Sequence, residues 1–121
     1  MCLMNYRIKL SIEFAKQLKR LAKRYRSLKQ DIAELGDELQ KNPYQGVDLG
    51  NGLRKVRMSI ASKGKGKSGG ARVITFTAII SEEDAEILLL TIYDKSEKEN
   101  ITDAELRELR LTLRLHTHRL T

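Results

Sequence analysis

The sequence predicts one α+β domain, in which helices pack on a small antiparallel sheet. An apolar seam with helical spacing runs through residues 14–39, and two strand-like segments, 53–60 and 71–80, flank a loop rich in glycine and lysine. A nearly continuous apolar run over residues 85–93 is typical of a strand that is covered on both faces. In chain order the elements are β-α-α-β-β-β-α. We expect the single domain to span residues 1–121, with a frayed end over about 114–121.

Composition and charge limit the classes of function. The chain has 121 residues, 40% hydrophobic and 32% charged, which suits one globular domain. The net charge of +7 and the pI of about 9.7 indicate an anionic partner, which could be nucleic acid, an acidic protein or an anionic membrane. Because no apolar run reaches the length of a membrane span and the N-terminus lacks a signal-peptide pattern, we expect a cytoplasmic protein. Cys2 is the only cysteine, which excludes a disulfide framework.

The N-terminal third contains a short strand and the apolar seam. Residues 3–10 alternate loosely as a strand, and Ser11 can cap the helix that follows. The seam alternates steps of four and three, which taken alone is typical of a coiled coil. Its members are Phe14, Leu18, Leu21, Tyr25, Leu28, Ile32, Leu35 and Leu39. Ser27 and Gln30 match a capping box that could restart a helix after a break near residues 25–26. We favour this helical hairpin over a coiled coil, because two helices laid on a small sheet bury the seam within one domain.

The rest of the chain contains strands, turns and a final helix. Asn42 and Pro43 end the second helix, and Gly46, Gly50 and Gly52 predict an irregular connection. Residues 81–84 form a turn before the apolar run, and residues 94–100 form a charged loop after it. The final helix has a predicted capping box of Thr102 with Glu105, a hydrophobic staple of Ile101 with Leu106, and an apolar face of Leu106, Leu109 and Leu113.

A cluster of cations is predicted on one face of the sheet. Strand alternation places Lys55 and Arg57 on one side of residues 53–60 and Val56 on the other. Arg72 can join the two cations from the neighbouring strand, and we expect it to be a surface residue. Like charges placed opposite each other destabilise a sheet. We therefore expect an anionic ligand on this face.

The loop between these strands matches two nucleotide-binding patterns only in part. Residues 64–69 fit G-x-G-x-x-G, and residues 66–68 resemble the end of a phosphate-binding loop. Both motifs must open a helix whose N-terminus holds the phosphates, but strand-forming residues follow here. We interpret the segment as a flexible basic loop whose lysines, Lys63, Lys65 and Lys67, follow a phosphate backbone.

No metal site or familiar catalytic triad can be assembled from the sequence. His116 and His118 are two residues apart and would face different ways on a helix, and there is no third ligand nearby. We interpret them as part of a solvated tail. No Ser-His-Asp or Cys-His set stands out, and no cofactor is predicted.

Four segments together resemble the RelE/ParE superfamily of bacterial toxins, and in particular its HigB-like branch. They are LRKVR at 53–57, GGARVI at 69–74, LLL at 88–90 and YDKSEKENIT at 93–102, behind a short first strand and the apolar seam. The resemblance covers about residues 6–113 and implies the same β-α-α-β-β-β-α fold. It also implies a type II toxin that cuts messenger RNA on the ribosome without metal or cofactor.

The resemblance implies the roles of several residues. Lys55 and Arg57 correspond to the paired basic residues of the second strand, Arg72 to the arginine of the third, and Lys95 to a basic residue after the last strand. RelE-type members place a tyrosine where this chain has Ile101. We therefore expect Lys95 to transfer a proton, because neighbouring cations favour the neutral amine, with Lys98 holding a phosphate and Tyr93 orienting or stacking a base. Lys63, Lys65, Lys67, Tyr93 and Lys98 are the predicted RNA contacts.

The resemblance also implies the partners. These are a cognate antitoxin, whose acidic segment is expected to cover or distort the basic face, and mRNA on the ribosome. Operator DNA is reached only through the antitoxin, and neither a membrane nor a small-molecule substrate is expected. ParE-like members inhibit DNA gyrase and are not nucleases, so a gyrase inhibitor is the alternative, and a decayed toxin that keeps only antitoxin and operator binding is a third. The basic cluster favours RNA cleavage.

Overall fold

The described residues form three helices and five strands, an α+β domain as the sequence predicts but with one strand more than the predicted order. The computed structural model describes residues 4–120, and it describes side chains for residues 4–113. The elements are β1 (Asn5–Leu10), α1 (Ile12–Arg24), α2 (Leu28–Lys41), β2 (Val47–Gly50), β3 (Leu53–Met58), β4 (Ala71–Ile79), β5 (Asp84–Asp94) and α3 (Asp103–Leu120), with a 3₁₀ turn at Ala61–Lys63 between β3 and β4.

The sheet is mixed, and the prediction of an antiparallel sheet is wrong at one edge. Its strand order is β1-β5-β4-β3-β2. β1 runs parallel to β5, whereas the other three pairs are antiparallel. A parallel pair requires a long crossover connection, and everything from α1 to β4 lies between β1 and β5.

β2 occupies part of the connection that was predicted to be irregular. It pairs with β3 through the contacts Val47–Lys55, Asp48–Arg54 and Gly50–Leu53. The turn between the two strands needs left-handed backbone, with φ of 87° at Gly50, 54° at Asn51 and 82° at Gly52. Gly46, Gly50 and Gly52 correctly indicate turns, but a four-residue strand that ends in glycine has too little alternation to be predicted.

The helical hairpin is confirmed, and the continuous coiled coil is wrong. Tyr25 ends α1 in extended conformation, with φ −121° and ψ 108°. At the start of α1, the Ser11 hydroxyl accepts a hydrogen bond from the Phe14 N–H at 3.0 Å, as predicted. The predicted capping box at Ser27 is wrong, because Ser27 has helical backbone and its hydroxyl donates to the Asp31 carboxylate at 2.7 Å.

Two apolar cores lie on opposite faces of the sheet. The first joins the helical hairpin to β3, β4 and β5. The second joins α3 to the other face through Leu53, Ile74, Leu90 and Tyr93. Residues of β5 therefore belong to both cores, which confirms that the apolar run over 85–93 is covered on both faces.

The start of α3 has the predicted capping box and staple. The Thr102 hydroxyl accepts from the Glu105 N–H at 3.1 Å, and the Glu105 carboxylate accepts from the Thr102 N–H at 3.0 Å. Ile101 and Leu106 are buried in the same core. α3 continues to Leu120. The side chains of residues 114–120, and residue 121 as a whole, lie outside the described part. The predicted fraying of residues 114–121 and the predicted exposure of His116 and His118 therefore stay predictions. Across the residues that the structure describes, no helix is long and apolar enough to span a bilayer.

Candidate functional site

A cross-strand row of residues forms the centre of the predicted basic face. Val56 and Met58 are buried against the helical hairpin, so Lys55 and Arg57 lie on the other face of β3, as alternation predicts. Arg57 stands opposite Arg72 in the pairing of β3 with β4, and Arg72 stands opposite Tyr93 in the pairing of β4 with β5. The fold thus brings two arginines and a tyrosine into one row.

Arg72 is buried, and the prediction of a surface cation is wrong for it. The residue is 4% exposed. Its Nη1 donates to the carbonyls of Lys67 at 2.9 Å and Ala71 at 3.1 Å, so the loop after β3 folds over the guanidinium. Burial, followed by the charge of Arg57, lowers the pKa of Arg72 from its ordinary value. A cation held in this way is preorganised, because carbonyls fix its orientation.

Asn100 connects Lys55 to Tyr93. Its Oδ1 accepts hydrogen bonds from Lys55 Nζ at 3.1 Å and from the Ile101 N–H at 3.0 Å, and it lies 3.5 Å from the Tyr93 hydroxyl. Burial raises the pKa of Tyr93, while the Ile101 N–H and the charge of Arg72 act in the opposite direction. Sequence patterns do not single out Asn100 as a site residue. Its only local signal is its place directly before the staple residue Ile101, where a side chain can reach the sheet.

Lys95 and Lys98 lie at the same end of the sheet and have different partners. Lys95 Nζ donates to the Glu99 carbonyl at 2.5 Å and so closes its own loop. Lys98 forms an ion pair with Glu105 and lies 5.6 Å from the centre of the Tyr93 ring. Tyr93 is 7% exposed, and Lys98 covers one face of its ring. These contacts place Lys98 beside the row, hold Lys95 in its own loop, and disfavour the predicted stacking of a base on Tyr93.

Lys63 is part of a buried ion pair. Its Nζ lies 2.6 Å from Asp94 Oδ1, and the two side chains are 8% and 0% exposed. Burial alone would raise the pKa of Asp94, but hydrogen bonds from Lys63, Tyr25 and Ser96 outweigh it and hold that pKa well below its ordinary value. Lys63 was predicted to contact RNA, and this pairing gives it a structural partner inside the protein. The charge pattern alone did not indicate that Asp94 is buried.

The rest of the basic loop is held at its ends and exposed between them. Lys65 and Lys67 are exposed, as contacts to a phosphate backbone require. Gly64 and Gly66 have left-handed backbone, with φ of 68° and 64°. A Cβ on Gly70 would collide with the Met58 carbonyl, so only glycine fits where the loop joins β4. Because a strand follows Gly70, the loop does not open a helix as the nucleotide-binding motifs require.

A small cavity lies next to Arg57, at one end of the row. A cavity of about 30 Å³ next to Arg57 and Lys67 is also lined by the carboxylates of Asp31, Glu34 and Glu38. That volume suits a water molecule or two and not a nucleotide. A polymeric anion would therefore bind on the open surface. Within the described residues, no cluster of three or more His, Cys, Asp or Glu side chains is placed to hold a metal ion.

The family of the chain follows from a match along most of its length. The family model described as the RelE toxin of the RelE / RelB toxin–antitoxin system matches residues 11–119. The chain belongs to the RelE toxin family. It is therefore the toxin of a type II toxin–antitoxin system, as the resemblance implies, and an antitoxin is its expected partner. The HigB-like branch stays a prediction.

The matched region of this RelE-family toxin contains the complete row with its surroundings. It runs from the Ser11 cap through α3 and includes Lys55, Arg57, Arg72 and Asn100. Chemically, the row offers fixed positive charge next to the Lys55 amine. Such a set can stabilise a developing anion and move protons.

Proposed function

We propose that this toxin is an endoribonuclease that cleaves mRNA on the ribosome without a metal ion. The observation that carries the proposal is the row of Arg57 and Arg72 beside Lys55. Of the ion pairs among the described residues, none includes any of these three cations. Three cations that form no ion pair on one sheet face are unfavourable unless an anion binds between them. The phosphate of RNA is such an anion.

Cleavage of RNA through its 2′-OH needs a base, an acid and a cation for the charged phosphorane. We assign the cationic role to Arg57 and Arg72, and proton transfer to Lys55 and Lys95. Lys65, Lys67 and Lys98 are the proposed contacts to the rest of the RNA, and we leave Lys63 out because its charge is paired with Asp94. Asn100 holds the Lys55 ammonium towards the row.

The decisive experiment compares two arginines of the same strand. Arg57 is exposed on the proposed site, whereas Arg54 points to the opposite face and donates to the Tyr44 carbonyl at 2.9 Å. We expect Arg57→Ala to lose about a hundredfold or more in cleavage rate on programmed ribosomes, since it removes charge from the transition state. Arg54→Ala should cleave like the wild type, and urea unfolding should show that both variants fold.

Two outcomes would contradict the proposal. Equal cleavage by Arg57→Ala and the wild type would show that the site is wrongly placed. A wild-type protein that leaves mRNA intact on ribosomes but inhibits DNA supercoiling by gyrase would show that the ParE-like alternative is correct. Both assays use the same purified toxin, so one preparation decides between the two functions.

A further inference from the structure

The side-chain oxygen of Asn100 is fully used within the protein. Its Oδ1 accepts hydrogen bonds from Lys55 Nζ at 3.1 Å and from the Ile101 N–H at 3.0 Å, and the Tyr93 hydroxyl lies 3.5 Å away. An ammonium and a backbone N–H can only donate, so both require the oxygen of the amide and not its nitrogen. This chemistry fixes which way round the amide group stands.

The amide nitrogen of Asn100 has no such role inside the fold. Among the residues that the structure describes, every hydrogen bond of the Asn100 side chain ends on Oδ1, and none starts from Nδ2. The residue is exposed, so the two N–H donors of Nδ2 are open to a ligand. Because Nδ2 and Oδ1 are bonded to the same carbon, these donors lie directly beside the Lys55 ammonium.

The chain on both sides of Asn100 is held in place. Before it, the Glu99 carbonyl accepts a hydrogen bond from Lys95 Nζ. After it, Ile101 is buried in the second core, and Thr102 caps α3. A donor that is fixed in this way loses little conformational freedom when it binds a ligand. The free amide is therefore preorganised.

The surroundings indicate what this donor can bind. Lys55 and Arg57 share one face of β3, and Tyr93 stands opposite Arg72 in the pairing of β4 with β5. Through Lys55 and Tyr93, Asn100 borders the cationic row. A free group that only donates, next to cations, matches a phosphate oxygen better than the mixed donor and acceptor edge of a base.

We propose that Asn100 contacts the substrate directly: its Nδ2 donates to a non-bridging oxygen of the scissile phosphate, while its Oδ1 positions Lys55. The inference rests on the proposed function and adds a neutral donor to its cations. Because this phosphate gains charge in the phosphorane, a fixed donor binds it more strongly in the transition state than before. Loss of the donor should therefore reduce the rate constant of cleavage more than the affinity of the toxin for ribosomes.

The first test exchanges the amide for a carboxylate and for a methyl group. Asn100→Asp keeps an oxygen for Lys55 and Ile101, but at neutral pH it has no donor and repels phosphate. Asn100→Ala removes both parts of the group without adding charge. On programmed ribosomes with saturating toxin, we expect Asn100→Ala to lose about tenfold in cleavage rate and Asn100→Asp about a hundredfold or more.

Asn51→Asp is the matched control for the added charge. Asn51 is exposed in the turn between β2 and β3, outside the row, and has left-handed backbone that aspartate also tolerates. Its cleavage rate should stay within about threefold of the wild type, because salt screens an exposed charge. Circular dichroism and urea unfolding check that each variant is folded.

A second test identifies the oxygen that Asn100 contacts. Sulfur in place of one non-bridging oxygen of the scissile phosphate weakens a hydrogen bond to that position and leaves the other oxygen unchanged. The wild-type toxin should cleave mRNAs with the two separate diastereomers at different rates. In Asn100→Ala the ratio of these rates should change about tenfold, since the donor to one oxygen is lost. A residue that only stabilises the fold would lower both rates by the same factor.

The outcomes separate this inference from the proposed function. Asn100→Asp that cleaves as fast as the wild type would show that Asn100 only holds Lys55, which overturns the phosphate contact. An unchanged diastereomer ratio in Asn100→Ala would overturn it too, and this ratio decides the question if Asn100→Asp fails to fold. In either case the proposed function stands as long as the wild type cleaves. If the wild-type toxin cleaves no mRNA on ribosomes, the proposed function and the inference fail together.

Discussion

At the scale of single residues, Asp94 is a fully buried charge that several side chains hold in place. Its carboxylate accepts hydrogen bonds from Lys63 and from the hydroxyls of Tyr25 and Ser96. These partners come from the end of α1, the start of the basic loop and the loop after β5. Asp94 directly follows Tyr93, so the same contacts also fix the end of the cationic row. A buried ion pair adds little stability compared with an apolar pair, but losing one partner is costly.

We predict that Asp94→Asn lowers the free energy of unfolding by about 3 kcal/mol or more at neutral pH, because it leaves the Lys63 ammonium buried without a counter-charge. The pKa of Asp94 is depressed in the fold. Its charge therefore contributes stability above the ordinary carboxyl pKa of about 4, and this contribution is lost as the pH falls from there towards the lower folded pKa. The difference between wild type and variant should shrink by about 1 kcal/mol between pH 7 and pH 3, as measured by urea unfolding.

Lys65→Ala serves as the control for this prediction. Lys65 lies two residues after Lys63 in the same loop but is exposed, so its removal should change stability by less than about 0.5 kcal/mol. If the deficit of Asp94→Asn is the same at pH 3 as at pH 7, the ion pair is not the source of the stability.

At the scale of elements, the N-terminus of α3 shows how a local signal fixes a boundary. Thr102 and Glu105 hydrogen-bond reciprocally across one helical turn.

Thr102→Ala removes the hydroxyl that caps the helix, and we predict that it lowers the free energy of unfolding by about 1 kcal/mol, as measured in urea. Thr112→Ala is the matched control. Thr112 lies within the same helix, exposed, with its hydroxyl bonded to the Glu108 carbonyl, and alanine there should be neutral or stabilising. Equal losses in both variants would mean that helix propensity and not capping is being measured.

The sequence predicts elements well where their signals are local. The cap at Ser11, the break at Tyr25 and the capping box at Thr102 each depend on residues within a few positions. Ser27 shows the limit. It matches a capping pattern, but its hydroxyl is hydrogen-bonded to Asp31 and to the distant Ser62 instead of to the backbone of the helix. The parallel pairing of β1 with β5 is likewise set by contacts between distant parts of the chain.

In the candidate site, too, features that depend on local sequence are predictable and features that depend on distant contacts are not. Strand alternation correctly places Lys55 and Arg57 on one face, because alternation is a property of the strand itself. The burial of Arg72, the pairing of Lys63 and the position of Asn100 all depend on side chains from other elements. Charge patterns in a sequence cannot show which cations already have partners within the fold.

At the scale of the whole molecule, the net charge of +7 is distributed over both sides of the sheet. One side has the cationic row, and the other has exposed cations of the helical hairpin, namely Lys19, Lys23, Arg26 and Lys29. A positive field on two sides attracts an acidic partner from many directions of approach, which increases the rate of encounter more than the lifetime of the complex.

We predict that salt slows the association of toxin and antitoxin far more than it accelerates dissociation. Raising the ionic strength from about 50 to about 500 mM shortens the Debye length to a few ångströms and should reduce the association rate about tenfold or more. Stopped-flow mixing measures both rates. A Lys19→Glu/Lys23→Glu variant, which reverses two exposed charges of α1, should show a weaker salt dependence than the wild type. An association rate that is indifferent to salt would contradict an electrostatic encounter.

The two anchors of the basic loop have a consequence for engineering and for evolution. The ion pair of Lys63 with Asp94 fixes the start of the loop. At its end, only glycine fits at position 70, because any Cβ there would collide with the Met58 carbonyl. Between these ends the Lys67 carbonyl also holds Arg72, so residues 64–66 form the cassette that is free to vary. Extending a surface loop costs little entropy, so this cassette can change in length and composition while the sheet keeps its register. Under the proposed function, exchanging this cassette between related toxins would alter the RNA contacts of the loop on an unchanged scaffold.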